Sequence, residues 1–373
     1  MSGELVTSTD VFVIGGGPAG LAAAIAARMQ GFRVMVSDGA KPPIDKACGE
    51  ALMPDAVEAL EKLGVRIPNA ESSAVRGVCF HSFRLSAEAA FPAGFRGISV
   101  RRLLLHRLLI ARAVELNVDL LWQQPVTGIS ESSVQIGERT IRARWVVGAD
   151  GTNSRVRQWA KLSSSVLRRP RYSFRRHYRV RPWTDRMEIY WGESSQAYTT
   201  AVSDDEVCVA VASHDPKQRL EQSLPQFPDL RSRVSGAEIV SLERGAVSTN
   251  RQLKRVYRDN VALVGDASGT VDAITGEGLG LAFRQALVLA SCMKAGTLGN
   301  YEGEHRRLAS RPLLMARMML ALDGRPWLQR RTLRVFKHRP QIFERLLAFH
   351  IGALSPAALA FDGLSLGWRL LTA

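Results

Sequence analysis

The chain has 373 residues, 46% hydrophobic and 23% charged, which allows substantial cores and excludes a disordered or fibrous protein. Its formal net charge is +15, yet 42 of the 50 basic residues are arginines dispersed among acids, without a helix-turn-helix, zinc-finger or RNP-like pattern, so no nucleic-acid partner is expected. Cys48, Cys79, Cys208 and Cys292 form no C-x-x-C pair, which argues against structural zinc, iron–sulfur clusters and a disulfide framework; no metal site is expected, and a reducing cytoplasm fits.

In chain order, the first nine residues are polar and carry no secretory pattern. An apolar strand from Asp10, an Ala-rich helix over Leu21–Met29 and a second strand ending at Asp38 form a βαβ unit. Helices are predicted at Asp55–Leu63 and Arg102–Leu116, and short strands at Val118–Trp122, Val134–Ile136 and Thr140–Ala143. The pattern then changes to alternating strands at Tyr172–Val180, Arg186–Trp191, Ala197–Val202 and Glu206–Ala212, followed by a helix at Gln218–Leu224. Val75–Phe91 is expected to join that sheet. From Leu279 to Ala321 helical periodicity takes over, and Pro326 and Pro340 punctuate a basic amphipathic tail with apolar positions at Leu333, Phe336, Phe343, Leu346 and Leu347. The apolar stretches near Leu279–Met293 and Ile351–Leu371 are interrupted by Arg284, Pro356 and Asp362 before reaching membrane-spanning length.

Three glycine motifs and a glycine-rich helix entry carry the chemistry. Gly15, Gly17 and Gly20 complete a G-x-G-x-x-G, with Pro18 and Ala19 inside it, between the first strand and the first helix; Asp38 follows at the spacing of a ribose-binding acid. Such a loop lets the backbone approach a pyrophosphate and aims a helix N-terminus at it. Trp145–Arg155 reads as a buried strand delivering Asp150 into a glycine turn, and Asn260–Gly269 delivers Gly265 and Asp266 in the same way. Thr275–Ala282, with Gly276, Gly278 and Leu279, opens a helix whose free amides favour negative charge on a ligand ring.

In this order the three motifs resemble the FAD-dependent oxidoreductases related to p-hydroxybenzoate hydroxylase and geranylgeranyl reductase. The resemblance implies extended FAD, with adenosine near Gly15 and Asp38, pyrophosphate by Asp266 and the ring near Gly276–Gly278. It also implies an arginine opening a helix to support the cofactor: Arg101 or Arg102, with Arg102 preferred because Leu105 and Leu109 follow on one face. The segment Lys46-Ala-Cys-Gly-Glu50 followed by Leu52-Met-Pro54 is similar to the version found in geranylgeranyl reductase-like members, which places Cys48 beside the flavin. Cys48 and Glu50 are candidates for tuning the flavin or relaying a proton. The competing reading makes Cys48 a small buried residue and Glu50 the start of the helix at Asp55. Arg176, His177 and Tyr178 are candidates for a phenolate or carboxylate, with His177 the candidate base.

The expected fold is mixed α/β: a Rossmann-like FAD-binding domain (1–74, 92–167 and 248–322) interleaved with an antiparallel β-sheet substrate domain (75–91 and 168–247), plus a helical C-terminal segment (323–373). The leading function is an FAD-dependent oxidoreductase that uses NAD(P)H to reduce or desaturate a lipophilic, aromatic, polyketide-like or isoprenoid-like small molecule. Hydroxylation of an aromatic or polyketide substrate is the first alternative, and a flavin-binding electron-transfer partner is the second. The tail either closes over the core or the substrate entrance, or rests on a membrane surface.

Overall fold

The computed structural model describes residues 7–162, 164–166, 170–248, 250–355 and 358. The first strand, Thr7–Ile14, lies inside a sheet whose order is Tyr257–Arg258, Val261–Leu263, Arg139–Gly148, Thr7–Ile14, Val34–Asp38, Asp119–Trp122. All neighbours pair in parallel except the edge pair Tyr257–Arg258 with Val261–Leu263. The chain leaves Thr7–Ile14 for one neighbour and later returns along its other side. Such a reversal opens a crevice at the C-terminal strand ends, and Gly15, Asp38, Asp150 and Asp266 all follow those ends. The predicted strand Thr140–Ala143 and the apolar run from Trp145 are one strand, Arg139–Gly148, because its first half forms a hairpin with Ser133–Ile136 while its second half enters the parallel sheet.

The helix Pro18–Met29 starts at the fingerprint itself, with proline at its first turn, where a missing N–H costs nothing. Its alanines from Ala22 to Ala27, with Leu21 and Ile25, are buried and pack with Val11, Val13, Phe283 and Leu289 into one core. Small residues bring the helices close: a Cβ on Gly280 would stand 2.9 Å from the Ala56 Cβ. The helices of this layer are Pro54–Lys62, Arg102–Glu115, Gly278–Lys294 and Gly299–Leu322, so the long predicted helical stretch from Leu279 is two helices broken at Gly296.

The second sheet runs Glu238–Ile239, Arg171–Arg179, Glu206–Ser213, Ser195–Ala201, Met187–Trp191, Gly77–Ser82, Leu85–Ala90, with Arg244–Ser248 also on Arg171–Arg179. It is antiparallel except where Met187–Trp191 pairs in parallel with Gly77–Ser82. That seam exists because the two strands come from chain segments on either side of the first sheet's return. The helical turn Leu220–Ser223 and the helix Pro228–Val234, the latter absent from the sequence expectations, cover the outer face through Leu220, Phe227 and Leu230.

The tail forms Pro326–His338 and Pro340–His350, each opened by the predicted proline. Its apolar stripe, Leu333, Phe336, Phe343, Leu346 and Leu347, is buried against Val78, Phe80, Ile189 and Trp191 of the second sheet. Most of the predicted apolar stretch after Ile351 lies outside the described residues.

Two glycines of the fingerprint test its geometry in opposite ways. A Cβ on Gly20 would meet the Gly15 carbonyl oxygen at 1.8 Å, whereas one on Gly17 would meet nothing within 4 Å. Gly20→Ala is expected to destabilise the protein by at least about 2 kcal/mol through overpacking. Gly17→Ala should unfold at the wild-type urea concentration yet bind flavin more weakly, both read by urea titration and flavin-fluorescence quenching.

Candidate functional site

The crevice opens into a cavity of about 590 Å³ that reaches the second sheet at Ser173, Met187 and Tyr198. Most residues singled out in the sequence line it: Gly15, Gly17, Pro18, Ala19, Asp38, Cys48, Glu50, Arg102, Asp150, Gly265, Asp266, Gly276, Gly278 and Leu279. Gly20 and Arg101 are not on its wall. Gly20 is the contact between the first helix and its strand, and the Arg101 guanidinium is ion-paired to Glu206.

Backbone conformation explains the glycines. Gly15 has φ +112°, and a Cβ there would collide with the Ala149 carbonyl at 2.4 Å. Gly276, at φ +67°, opens the turn into Gly278–Lys294, and neither it nor Gly278 faces any atom within 4 Å at the Cβ position. A ligand can therefore approach both backbones closely.

The polar groups on the wall are held at fixed angles. Asp38 Oδ2 accepts from the Gly16 N–H at 2.7 Å, and its Oδ1 accepts from the Ala40 N–H at 2.7 Å. Asp266 Oδ2 accepts from Lys46 Nζ and from the Thr152 hydroxyl, each at 3.2 Å. Asp150 Oδ2 accepts from the Arg155 and Val156 amides at 2.7 and 3.1 Å, capping a short helix, while its buried Oδ1 has no hydrogen-bond partner among the described residues. Arg102 Nε is buried without a partner in the same sense. An unpartnered guanidinium nitrogen and carboxylate oxygen on a cavity wall, beside glycine backbone open to that cavity, fit an extended dinucleotide.

His106, one helical turn after Arg102, fixes the loop from behind. The Ile44 N–H donates to its Nδ1 at 3.2 Å, so Nε2 carries the proton and donates to the Gly16 carbonyl at 2.8 Å. Burial holds this imidazole below its ordinary range. The spacing from Arg102 puts both on one helix face, a signal present in the sequence but not used.

Glu50 lies on the cavity wall and departs from the reading that made it the start of a helix. It does not open the helix that starts at Pro54; its Oε1 accepts from the Arg102 N–H at 2.9 Å and so caps the helix Arg102–Glu115. Its Oε2 lies 2.6 Å from His177 Nε2, and both side chains are 1% exposed. The backbone at Glu50 is left-handed, φ +64°, a conformation costing a non-glycine residue about 1 kcal/mol. Arg175 completes the cluster: it donates to Asp45 Oδ1 at 2.5 Å, stands 3.8 Å from Glu50, and lies 3.2 Å from His177 Nδ1. A guanidinium has only donors, so Nδ1 accepts and Nε2–H points to Glu50. Cys208 Sγ lies near the pair, the three donor atoms falling within 4.8 Å of one another, but both Glu50 oxygens and both His177 nitrogens already have protein partners.

The strand Arg171–Arg179 therefore splits its side chains differently from the expectation. Ser173 faces the cavity, and Arg175 and His177 point to the same side, reaching the loop that carries Glu50. Arg176 pairs with Glu221 and Glu243, and Tyr178 is buried in the outer core, so these two candidates for a phenolate point away from the cavity. His177 lies behind Glu50 and is not on the cavity wall. Cys48 is on the wall, half-buried, its sulfur accepting from the Glu50 N–H at 3.4 Å.

A second cavity of about 270 Å³ lies between the second sheet and the last three helices. Met53, Phe80, Met187, Trp191, Met315, Met318 and Met319 are among its walls, and Thr275, Thr332 and His350 are its polar contributors. Met187 lines both cavities.

The contrast between the two arginines yields a prediction. Arg102→Met is expected to fold normally and to weaken FAD binding at least tenfold, whereas Arg101→Met should leave it within about twofold, measured by isothermal titration of the flavin-free protein.

A digeranylgeranylglycerophospholipid reductase of Methanococcus vannielii is 25% identical over 329 residues, covering 80% of each chain. A flavoprotein/dehydrogenase of Cytophaga hutchinsonii superimposes with a TM-score of 0.83 at 18% identity, covering 98% of this chain and 99% of that one. A flavin-dependent brominase does so with a TM-score of 0.80 at 17% identity, covering 98% and 100%. The model of the FAD binding domain family matches residues 8–304, nearly the whole of both sheets and the cavity between them, and the chain belongs to that family of FAD-dependent oxidoreductases.

Proposed function

We propose that this protein reduces a carbon–carbon double bond in a lipophilic small molecule, with NADH or NADPH as the hydride donor. One observation carries the reading. The cavity that meets the glycine motifs adjoins, at Met187, a second cavity walled by methionine and aromatic side chains. An apolar chain lying there would bury its length while its reactive end entered the crevice, and unbranched methionines adapt to such a guest. The similarity to a reductase acting on a glycerophospholipid that carries isoprenoid chains supports this class of substrate. Likeness to the brominase is one of fold.

Bound FAD would supply the hydride chemistry. The chain's own groups take the remaining tasks. Gly15, Gly17 and the end of Pro18–Met29 would receive the pyrophosphate, Asp38 the ribose, and Arg102 a polar edge of the cofactor. Lys46 and Thr152, bonded to Asp266, would hold that carboxylate against the extended portion. Hydride addition to a double bond leaves a carbanion that needs one proton, and Cys48 is a thiol donor on the cavity wall. Glu50 and His177 would act as positioning residues that hold the Cys48 loop and the start of the Arg102 helix together. Among the described residues no helix is long and apolar enough to cross a membrane. We place the reaction in the cytoplasm, where reduced nicotinamide is available.

Oxygen decides between the chemistries this family permits. The purified flavoprotein, given NADH or NADPH and a polyprenyl or isoprenoid-quinone substrate under strict anaerobiosis, is expected to form a product two hydrogens heavier. A product that appears only in air and carries an added oxygen overturns the reading. Cys48→Ala should keep the yellow cofactor and lower turnover at least tenfold.

A further inference from the structure

Between the two glycines that open onto the cofactor cavity stands Glu277, 3% exposed. Gly276, Gly278 and Leu279 line that cavity, whereas Thr275 and Ile274, on the other side of the same turn, line the apolar one. The Glu277 side chain enters a buried group contributed by four helices. Asp55 comes from Pro54–Lys62, Arg284 from Gly278–Lys294, Arg311 from Gly299–Leu322 and His350 from Pro340–His350. Asp55 Oδ2 lies 3.1 Å from Arg284 and 3.6 Å from Arg311, while Arg284 Nη2 and Arg311 Nε are buried without a hydrogen-bond partner among the described residues.

Neither carboxyl oxygen of Glu277 has a hydrogen-bond partner among the described residues, and the same holds for His350 Nδ1, which lies 3.8 Å from Glu277 Oε1. An ionised carboxylate in such a place would be a desolvated charge that accepts no hydrogen bond, with Arg284 and Arg311 acting on it only at longer range. Burial, reinforced by the Asp55 charge and opposed by Arg284 and Arg311, raises the Glu277 carboxyl to about 8. Burial lowers His350 to about 4, although its other contact, to the Thr275 backbone, favours the protonated ring. At neutral pH both groups are uncharged, a carboxylic acid facing an imidazole nitrogen.

The consequence concerns the helix that Glu277 precedes. Gly278–Lys294 is 17 residues long, and its first amides carry the positive end of its dipole toward the cofactor cavity. An ionised acid at this position would neutralise that end, and a neutral acid leaves it available. We propose that Glu277, held as a neutral acid against His350, is a positioning residue that reserves this helix end for the negative charge of reduced flavin, and that ionising Glu277 opposes flavin reduction. The idea rests on FAD lying in the first cavity and makes the C-terminal helix Pro340–His350 part of the cofactor's electrostatic environment.

Reduction of flavin to its anionic two-electron form takes up one proton, so its potential falls by about 30 mV per pH unit, a tenfold change in proton activity. Where Glu277 is ionised in the oxidised protein, reduction draws a second proton onto it, and the fall steepens to about 59 mV per pH unit. The experiment is spectroelectrochemical titration of the bound FAD from pH 6.5 to 9.5 in wild type and Glu277→Gln. The expected result is a steepening near pH 8 in wild type and a line of constant slope in Glu277→Gln. Absence of a break in wild type, or an equal break in Glu277→Gln, overturns the proposal. The wild-type arm alone suffices if the variant does not fold. Protein that takes up no flavin refutes the underlying cofactor reading instead.

A second readout needs no cofactor. The carboxyl is raised in the folded state from an ordinary 4.5 to about 8, so its contribution to stability is greatest below pH 4.5 and is lost as pH rises toward 8. Urea unfolding of the flavin-free protein should therefore show a component of that sign in wild type that Glu277→Gln lacks, and identical pH profiles count against the protonated acid.

Discussion

A buried carboxylate at the seam between two sheets organises this molecule. Glu50 accepts from the first amide of one helix of the cofactor layer and pairs with His177 of the second sheet, while its own backbone sits in a left-handed turn. Removing either partner would leave a charge or a strained turn without compensation, and losses of that kind are the costly ones in protein interiors. Arg175 and Asp45 extend the same junction. The two sheets, which alternate along the chain, are thereby held at a fixed separation, and the cavity between them is the space that this separation leaves.

Across this cavity and the second one that meets it at Met187, polarity is divided. The crevice end carries glycine backbone, Asp38, Asp150 and Asp266, together with a guanidinium nitrogen and a carboxylate oxygen that lack protein partners. The far end, past Met187, is methionine and aromatic. A charged cofactor and an apolar guest would each find a matching half. The boundary between the halves is one short turn, Thr275 to Gly278, with the neutral pair Glu277 and His350 behind it.

This division also accounts for the distribution of arginine. Arg171 is 2% exposed and lies against Asp272 and Asp323, and Arg175 meets Asp45 and Glu50. Some of the arginines of this basic chain thus neutralise carboxylates in the interior. The guanidinium fork suits that work because one side chain can serve two carboxylates at once.

The local motifs were legible because each is a short-range demand. Gly15 must take φ +112° beneath the Ala149 carbonyl, the first helix must start where backbone amides face the crevice, and Pro326 and Pro340 must each open a helix; all are conditions on neighbouring residues. Alternation along Arg171–Arg179 likewise marked two faces, but not which face meets the cavity, because that depends on what packs across from it. Arg176 and Tyr178 consequently fell on the outer side, and His177 fell behind Glu50. The Glu50 to His177 contact spans 127 positions, and Glu277 meets a histidine from the last described helix. Only the folded chain could decide these pairs. A buried charge is answered by whichever group tertiary packing brings within a few ångströms, and no periodicity in the sequence records that choice.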